Sequence, residues 1–118
     1  MNNKRAMKTN ELLSRYAVGQ RDFREINLSA ANLKSVNLSG ANLSGANLSG
    51  ANLRKINLSS ANLSGANLSG ADLAEANLNR VNLTDANLDN TNLSQASLRG
   101  AIMPNGLSPE ATNLKIVN

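Results

Sequence analysis

The sequence predicts an all-β solenoid, and three observations support this prediction. A five-residue unit repeats from Arg21 to Asn105, most regularly in SGANLSGANLSGANL, the stretch from Ser39 to Leu53. Leu is the centre of every unit from Leu28 to Leu98, with Phe23 and Met103 at the centres of the first and last units. Most units have a small or β-branched residue two positions earlier and Asn between the two. The last two positions are mostly polar or Gly, which is the composition of a turn. A period of five fits neither a continuous strand nor a helix, so each unit is a short extended segment followed by a turn.

The extended part of a unit sends Ala and Leu to one side and Asn to the other, because side chains alternate along a strand. In Leu-Ser-Gly-Ala, Gly occupies the third position of a β-turn, where a type II turn needs a positive φ. We expect a different turn type where that position holds Lys55, Glu75 or Asp85. One right-angled turn per unit closes a square after four units, and such squares stack about 4.8 Å apart. The repeat is long enough for about four coils.

Stacked coils place residues twenty positions apart above one another. Val36 then lies over Ile56, and these two side chains are larger than the Ala found at most equivalent positions. Phe23 lies over Leu43. We expect the outward Asn side chains to stack into ladders whose amides hydrogen-bond along the axis.

Composition excludes several function classes. The chain has 118 residues, enough for one small domain, and contains neither Cys nor His. Disulfides and thiolate or imidazole metal sites are therefore excluded. We expect no enzyme activity and no cofactor, because the abundant Ser residues lie at turns without a general base. No apolar run is long enough to span a membrane, and no secretory signal precedes the repeat, so we expect a cytoplasmic protein.

The consensus A-N/D-L-x-x, continuous over about 85 of the 118 residues, resembles the pentapeptide-repeat family, of the kind abundant in cyanobacteria. The resemblance implies a right-handed quadrilateral β-helix. The right-handedness is implied by the resemblance alone, whereas the four-sided shape also follows from the spacing. Some members of that family resemble B-form DNA in shape and negative charge and act on DNA gyrase. Others regulate cell differentiation in filamentous cyanobacteria through protein contacts.

The ends of a solenoid need caps, because each end leaves a hydrophobic hole and unpaired backbone. We divide the chain into a basic N-terminal segment with a short capping helix (1–20), the repeat (21–105) and a C-terminal tail or cap (106–118). Thr9 or Asn10 is the expected N-cap of the helix, and Gly19 suits its end.

One face of the predicted helix is apolar, and we expect it to cover the first coil; its residues are Leu12, Leu13, Tyr16 and Ala17. The alternative is that this amphipathic helix binds a partner. At the other end, Pro104 removes a ladder donor. The stretch NLKIV that follows, Asn113–Val117, is suited to pairing as an edge strand or to supporting a dimer. The alternative is a tail that folds back or is mobile, and the sequence does not decide between these. A monomer and a dimer through the C-terminal end both remain open.

Charge supplies the remaining functional signal. Residues 1–24 hold six basic and two acidic residues, whereas residues 25–118 hold six of each. The candidate interaction face contains five outward cations, of which the first three share one face and the last two the adjacent face: Lys34, Arg54, Lys55, Arg80 and Arg99. Ordinary solvated charge is the alternative reading of this patch. Asp85 and Asp89 fall on adjacent faces, so a paired-carboxylate site is disfavoured.

These observations predict a non-enzymatic scaffold that mediates protein–protein interaction with an unidentified protein partner. Nucleic acid is an unlikely ligand, because the repeat body is neutral and the chain has one Phe, one Tyr and no Trp to stack on bases. The alternative is a DNA-mimicking modulator of DNA gyrase or topoisomerase. That role is disfavoured because it requires a long acidic rod.

Overall fold

The computed structural model describes residues 6–105 and residue 107. The predicted C-terminal tail or cap over 106–118, apart from Leu107, therefore lies outside the described residues. One helix, α1 (Thr9–Ala17), precedes the repeat. Within residues 6–105 and 107, no helix is both long and apolar enough to cross a membrane.

Parallel β-bridges join residues twenty positions apart throughout the repeat. In one such column Asn32 pairs with Asn52, Asn52 with Asp72, and Asp72 with Asn92. The other three columns start at Asp22, Asn27 and Asn37 and follow the same spacing. The chain therefore returns to the same lateral position every twenty residues, as predicted. We call residues 21–40, 41–60, 61–80 and 81–100 layers 1 to 4.

Hydrogen bonds between layers account for three backbone N–H groups of each unit in layers 2 and 3. In the unit of residues 47–51, the N–H of Leu48 donates to the carbonyl of Asn67 at 2.8 Å and that of Gly50 to the carbonyl of Ser69 at 2.9 Å. The N–H of Asn47 donates in the opposite direction, to Ile26 of layer 1, at 2.9 Å. Each unit of layers 2 and 3 is thus bonded to the layer before it and the layer after it.

Two further N–H groups are satisfied inside the unit. The N–H of Ala51 closes the turn on the carbonyl of Leu48 at 3.1 Å. The N–H of Ser49 donates to Oδ1 of Asn47 at 3.0 Å, which is an Asx-turn. The same bond recurs in almost every unit of the repeat, and Asp72 makes it where it replaces Asn.

The Asn residues stack in columns as expected, but their side-chain oxygens bond mainly within their own units and not along the axis. The side-chain oxygen is used within its own unit, because the serine N–H that follows has no interlayer acceptor. Among the described residues of the four columns, one axial bond joins two such side chains, from Nδ2 of Asn92 to Oδ1 of Asp72 at 3.1 Å.

The interior of the stack consists of the Leu centres and the small residues two positions before them. Every Leu centre from Leu28 to Leu98 is buried. Phe23 occupies the Leu position in layer 1, above Leu43. Val36 and Ile56 lie in adjacent layers, where the N–H of Asn57 donates to the carbonyl of Val36. The core is narrow and aliphatic apart from Phe23, and Tyr16 packs against it at the N-terminal end.

The turns are more uniform than the sequence predicts. Lys55, Glu75 and Asp85 have φ values of 59°, 62° and 60°, with the same sign as the glycines at this position. Their turns also keep the hydrogen bond from the fourth residue to the Leu carbonyl. The sign of φ and the turn-closing hydrogen bond both contradict the expectation of a different turn type at these residues. Stacking forces each turn to match its neighbours, so ordinary residues adopt the left-handed conformation despite its cost.

Helix α1 starts one residue earlier than the predicted caps. Lys8 is the N-cap and makes no side-chain capping bond, so Thr9 and Asn10 belong to the helix itself. The end is as predicted, with Gly19 at φ 105°. The N–H of Gly19 donates to Tyr16 and that of Gln20 to Arg15, which is a Schellman motif.

Helix α1 contacts layer 1 through part of the predicted apolar face. Leu12 is fully buried in the core, and Tyr16 packs against the core while its hydroxyl donates to the carbonyl of Ser39 at 2.7 Å. Leu13 is only half-buried and is not among the side chains packed on the core, and Ala17 is exposed. The prediction is wrong for these two residues, because the helix rests on layer 1 along a narrower stripe.

Replacing Leu63 by Ala tests the interior packing. Leu63 is completely buried in layer 3, and the layers on both sides hold its backbone, so the cavity cannot collapse. We expect a loss of about 2–5 kcal/mol in the free energy of unfolding, measured by urea denaturation. The control is Ser64→Ala on the outside of the same unit, which is expected to change it by less than about 0.5 kcal/mol.

A reciprocal pair of substitutions tests the turn strain. Ala30 (φ 58°) and Gly50 (φ 66°) occupy the same turn position in adjacent layers, and no atom lies within 4 Å of a Cβ placed on Gly50. We expect Ala30→Gly to stabilise the protein and Gly50→Ala to destabilise it, each by about 1 kcal/mol. Thermal unfolding of both variants measures this. Equal signs for the two changes would contradict the strain argument.

Candidate interaction surface

The five predicted cations lie on two adjacent faces of the stack, which we call the cationic side. These are the faces whose bridge columns run from Asn32 to Asn92 and from Asn37 to Ser97. Lys34 and Arg54 occupy equivalent turn positions in layers 1 and 2, and Lys55 follows Arg54. On the next face the N–H of Arg80 donates to the carbonyl of Arg99 at 2.8 Å, so these two turns are stacked neighbours.

Two of the five cations are paired with acids on their own face. Nη1 of Arg54 lies 3.2 Å from Oδ2 of Asp72, and its Nη2 lies 3.9 Å from Oε2 of Glu75. Nζ of Lys55 lies 3.9 Å from Oε1 of Glu75. All four side chains are substantially exposed, so each pair contributes little stability. The pairs nevertheless cancel the positive charge of this part of the predicted face.

Three cations of the cationic side form no ion pair with any described residue: Lys34, Arg80 and Arg99. Each is exposed at a turn. The net positive charge of this side therefore comes from its two ends, with a neutral cluster around Asp72 between them. The sequence interpretation gave Asp72 no role. Its twenty-residue spacing from Asn52 was nevertheless a usable signal, because it stacks Asp72 on the unit that contains Arg54.

The opposite two faces, which we call the anionic side, carry the compensating charge. Glu25, Asp85 and Asp89 are exposed there, and none of them forms an ion pair with a described residue. Between them lie small turns such as Ser44-Gly45 and Ser64-Gly65. Residues 21–105 hold seven basic and six acidic residues, so the net charge of the repeat is close to zero, but the charge is polarised across its width.

Asp22 is the paired acid on the anionic side. The Arg24 side chain donates to both of its carboxylate oxygens at 2.9 Å. These hydrogen bonds lower the pKa of Asp22 below its ordinary value of 3.8, and the backbone N–H of Arg24 acts in the same direction. The same contact raises the pKa of Arg24. Both groups remain charged at neutral pH, so this pair adds no net charge to the surface.

Near helix α1 the surface differs from the sequence interpretation in two respects. The guanidinium carbon of Arg21 stands 3.7 Å from the centre of the Tyr16 ring, a cation–π contact that no sequence signal indicates. Val18 is 86% exposed just after the helix. Leu12 is buried in the core and Tyr16 packs against it, so these two of the predicted cap residues Leu12, Leu13 and Tyr16 face the stack.

The described residues contain no group of three or more carboxylates placed to hold a metal ion. In that same part of the chain, every buried side-chain nitrogen or oxygen has a hydrogen-bond partner. Thr91 is the buried polar residue there, and its Oγ1 donates to the carbonyl of Leu68 at 2.7 Å.

A family model for pentapeptide repeats matches residues 22–60 and 61–100, in eight copies. The chain belongs to the pentapeptide-repeat family. The matched residues coincide with the stacked layers, so the units that define the family by sequence are the units that carry the interlayer bonds. No curated protein gives a significant match.

Solved structures of pentapeptide-repeat proteins are similar to this chain over most of its length. It is 36% identical to alr5209, a pentapeptide repeat protein from Nostoc Pcc 7120, covering 96% of this chain and 97% of that one with a TM-score of 0.81. HetL, from Nostoc sp. strain PCC 7120, is involved in heterocyst differentiation regulation; it is 41% identical, with coverage of 80% and 44% and a TM-score of 0.46. The chain thus spans less than half of HetL.

QnrB1, a plasmid-mediated fluoroquinolone resistance protein, is 18% identical, with coverage of 82% of this chain and 61% of that one and a TM-score of 0.56. At this identity the likeness shows a shared fold and nothing about activity.

Replacing Arg24 by Ala tests the origin of the Asp22 shift. Removing the guanidinium removes the strongest cause of the lowered pKa, so we expect the pKa of Asp22 to rise towards 3.8. In the wild type, the stability from this pair is present above the ordinary pKa and is lost as pH falls through the lowered one. Carboxylate NMR titration measures the shift. An unchanged Asp22 pKa in Arg24→Ala would contradict the assignment.

Proposed function

We propose that this protein is a non-enzymatic pentapeptide-repeat scaffold that binds an acidic surface of a protein partner through its cationic side. The observation that carries the proposal is that the unpaired cations and the unpaired acids of the repeat lie on opposite sides of the stack. Lys34, Arg80 and Arg99 have no carboxylate partner among the described residues, whereas the uncompensated acids lie on the opposite side. Complementary charge of this kind mainly sets partner orientation and association rate.

We further propose that the repeat is a right-handed quadrilateral β-helix of about four coils, with α1 as its N-terminal cap. The parallel bridges at a spacing of twenty and the similarity to alr5209 support this architecture. The domain limits 1–20, 21–105 and 106–118 are part of the same proposal. We place the protein in the cytoplasm, as a monomer or a dimer through its C-terminal end.

DNA mimicry directed at gyrase is the less favoured function. A mimic of DNA must present negative charge along its length, since B-DNA carries one charge per about 1.7 Å of axis. Here the acids of the anionic side are separated by uncharged Ser-Gly turns, and the cationic side faces the other way.

The test neutralises the three unpaired cations together, in the triple variant Lys34→Gln/Arg80→Gln/Arg99→Gln. Tagged wild type and variant are used to capture proteins from a native lysate, and recovered proteins are quantified by mass spectrometry. We expect at least one acidic protein to be recovered with the wild type and to fall at least tenfold with the triple variant. Its recovery should also fall as salt rises, because the contact is exposed to screening.

The matched control is Glu25→Gln/Asp85→Asn/Asp89→Asn, which neutralises three acids on the anionic side. It should retain the partner. Equal loss in both triple variants would show that the cationic side is not the binding surface. Inhibition of gyrase supercoiling that persists in the cationic triple variant would instead favour the DNA-mimic function.

A further inference from the structure

One face of the stack carries an exposed apolar side chain where its other units carry Asn or Asp. Ile102 is 57% exposed and ends the bridge column that starts at Asp22 and runs through Asn42, Asn62 and Asn82. We call the face of this column the Ile102 face. Apolar surface on an otherwise polar face is typical of a contact surface when a second feature defines its neighbour.

The backbone holds the Ile102 side chain in a fixed direction. The N–H of Leu83 donates to the carbonyl of Ile102 at 2.7 Å, and the N–H of Ile102 donates to the carbonyl of Val81 at 2.9 Å. Ala101 and Met103, on either side of Ile102, pack against the core. Because side chains alternate along an extended segment, Ile102 faces outward like the Asn residues below it.

Opposite charges flank the Ile102 face at its two corners. Arg80 and Arg99 lie in the turns through which the chain enters this face, and Asp85 lies in a turn through which it leaves. All three residues are exposed. The Cγ of Arg80 lies 3.4 Å from the place that a Cβ on Gly100 would occupy, so the Arg80 side chain leans towards the unit of Ile102.

This arrangement is complementary to itself under one symmetry operation. The chain rises by one layer of about 4.8 Å in twenty residues, so Arg80 and Asp85 stand at nearly the same height on opposite corners. A two-fold axis parallel to the stack therefore brings Arg80 and Arg99 of each copy opposite Asp85 of the other. The same rotation places the two Ile102 side chains together near the axis. An antiparallel pairing of the two faces would instead place Arg against Arg.

We propose that a second copy of the chain binds side by side on the Ile102 face, about a two-fold axis parallel to the stack. Such an isologous contact uses the same patch on both copies, so each charge pair occurs twice. The charges set the register and disfavour the antiparallel arrangement, and the paired Ile102 side chains lose their contact with water.

The contact is small, because a single face of the stack supplies it. Interfaces at the low end of the size range are transient, so the dimer forms at high protein concentration and weakens as salt rises. It differs from a dimer through the C-terminal end, in which the two stacks would be in line. The proposal does not rest on the acidic partner of the cationic side, although that partner would compete for Arg80 and Arg99.

Sedimentation velocity over a concentration series at low ionic strength tests the apolar contact. We expect the wild type to move from monomer to dimer, and Ile102→Asn to raise the dissociation constant at least tenfold. The replacement restores the residue that Asn82 supplies in the unit below, so the fold is kept. The control is Val18→Asn, which removes an 86% exposed apolar side chain just after helix α1 and should leave the dimer unchanged. A wild type that stays monomeric, or equal effects of both variants, would overturn the proposal.

Charge exchange tests the symmetry. Asp85→Arg alone and Arg80→Asp/Arg99→Asp alone should each abolish the dimer, whereas an equimolar mixture of the two variants should restore it. The repeat already has Arg80 at φ 61° and Asp85 at φ 60°, and Asp89 at the turn position equivalent to Arg99, so these exchanges suit the turns. Lys34→Glu, at a corner that does not border the Ile102 face, should leave the dimer intact. A mixture that stays monomeric would overturn the proposal.

Cross-linking separates the side-by-side dimer from one through the C-terminal end. The chain has no native Cys, and packed faces lie about 10 Å apart, which is too far for a disulfide. A short bis-maleimide should therefore link Asn82→Cys, near the axis, into dimers and leave Asn87→Cys, on the next face, mainly monomeric. Each variant loses one Asx-turn acceptor, so the two are matched. Failure to link Asn82→Cys, or equal linking of both, would contradict the proposed face.

The lysate capture described above distinguishes this proposal from the proposed function. Ile102→Asn should lose the dimer and still recover the acidic protein, since Lys34, Arg80 and Arg99 are unchanged. Loss of the dimer together with retained capture supports the assignment of Ile102 to contact between copies. Loss of capture with an intact dimer in Ile102→Asn would overturn that assignment.

Discussion

The structure depends on one constraint, which is that every backbone N–H of a five-residue unit must find an acceptor in a chain with almost no regular secondary structure. Three of these groups reach the neighbouring layers and one closes the turn. The fifth has no backbone acceptor, and the Asn side chain supplies one at about 3 Å in nearly every unit. Because a buried or half-buried N–H without a partner is costly, Asn is as much a requirement of the unit as Leu.

The unit with Ser97 in place of Asn shows how strict this requirement is. The N–H of Arg99 would have no acceptor there, and it donates instead to Oδ1 of Asn79 in the layer below at 3.0 Å. The hydroxyl of Ser97 donates to the same oxygen. Asn79 stands at a turn position where most other units have Ser, and it is the only Asn at that position in residues 21–100. The two unusual residues thus compensate each other across layers.

The same bonding explains why the surface is free to vary. Apart from Asn79, the turn side chains make no interlayer bond to the backbone ladder, so Lys34, Arg54, Glu75 and Arg99 occupy positions where neighbouring units have Ser or Gly. The left-handed turn is kept even when its residue is not Gly, because the layers on both sides hold it. Charge is therefore placed on the faces without altering the core, which is what a scaffold with a specific binding side requires.

The repeat itself was determined by the sequence, because its period alone sets which residues face inward and which lie twenty positions apart. Spacing also placed the five candidate cations on two adjacent faces. The tertiary structure decided whether those cations are available, since only the distances show that Arg54 and Lys55 meet Asp72 and Glu75. It also decided the use of each Asn oxygen, the sign of φ at Lys55 and the narrow contact of helix α1. These features depend on which group is nearest in space, and a one-dimensional pattern does not contain that information.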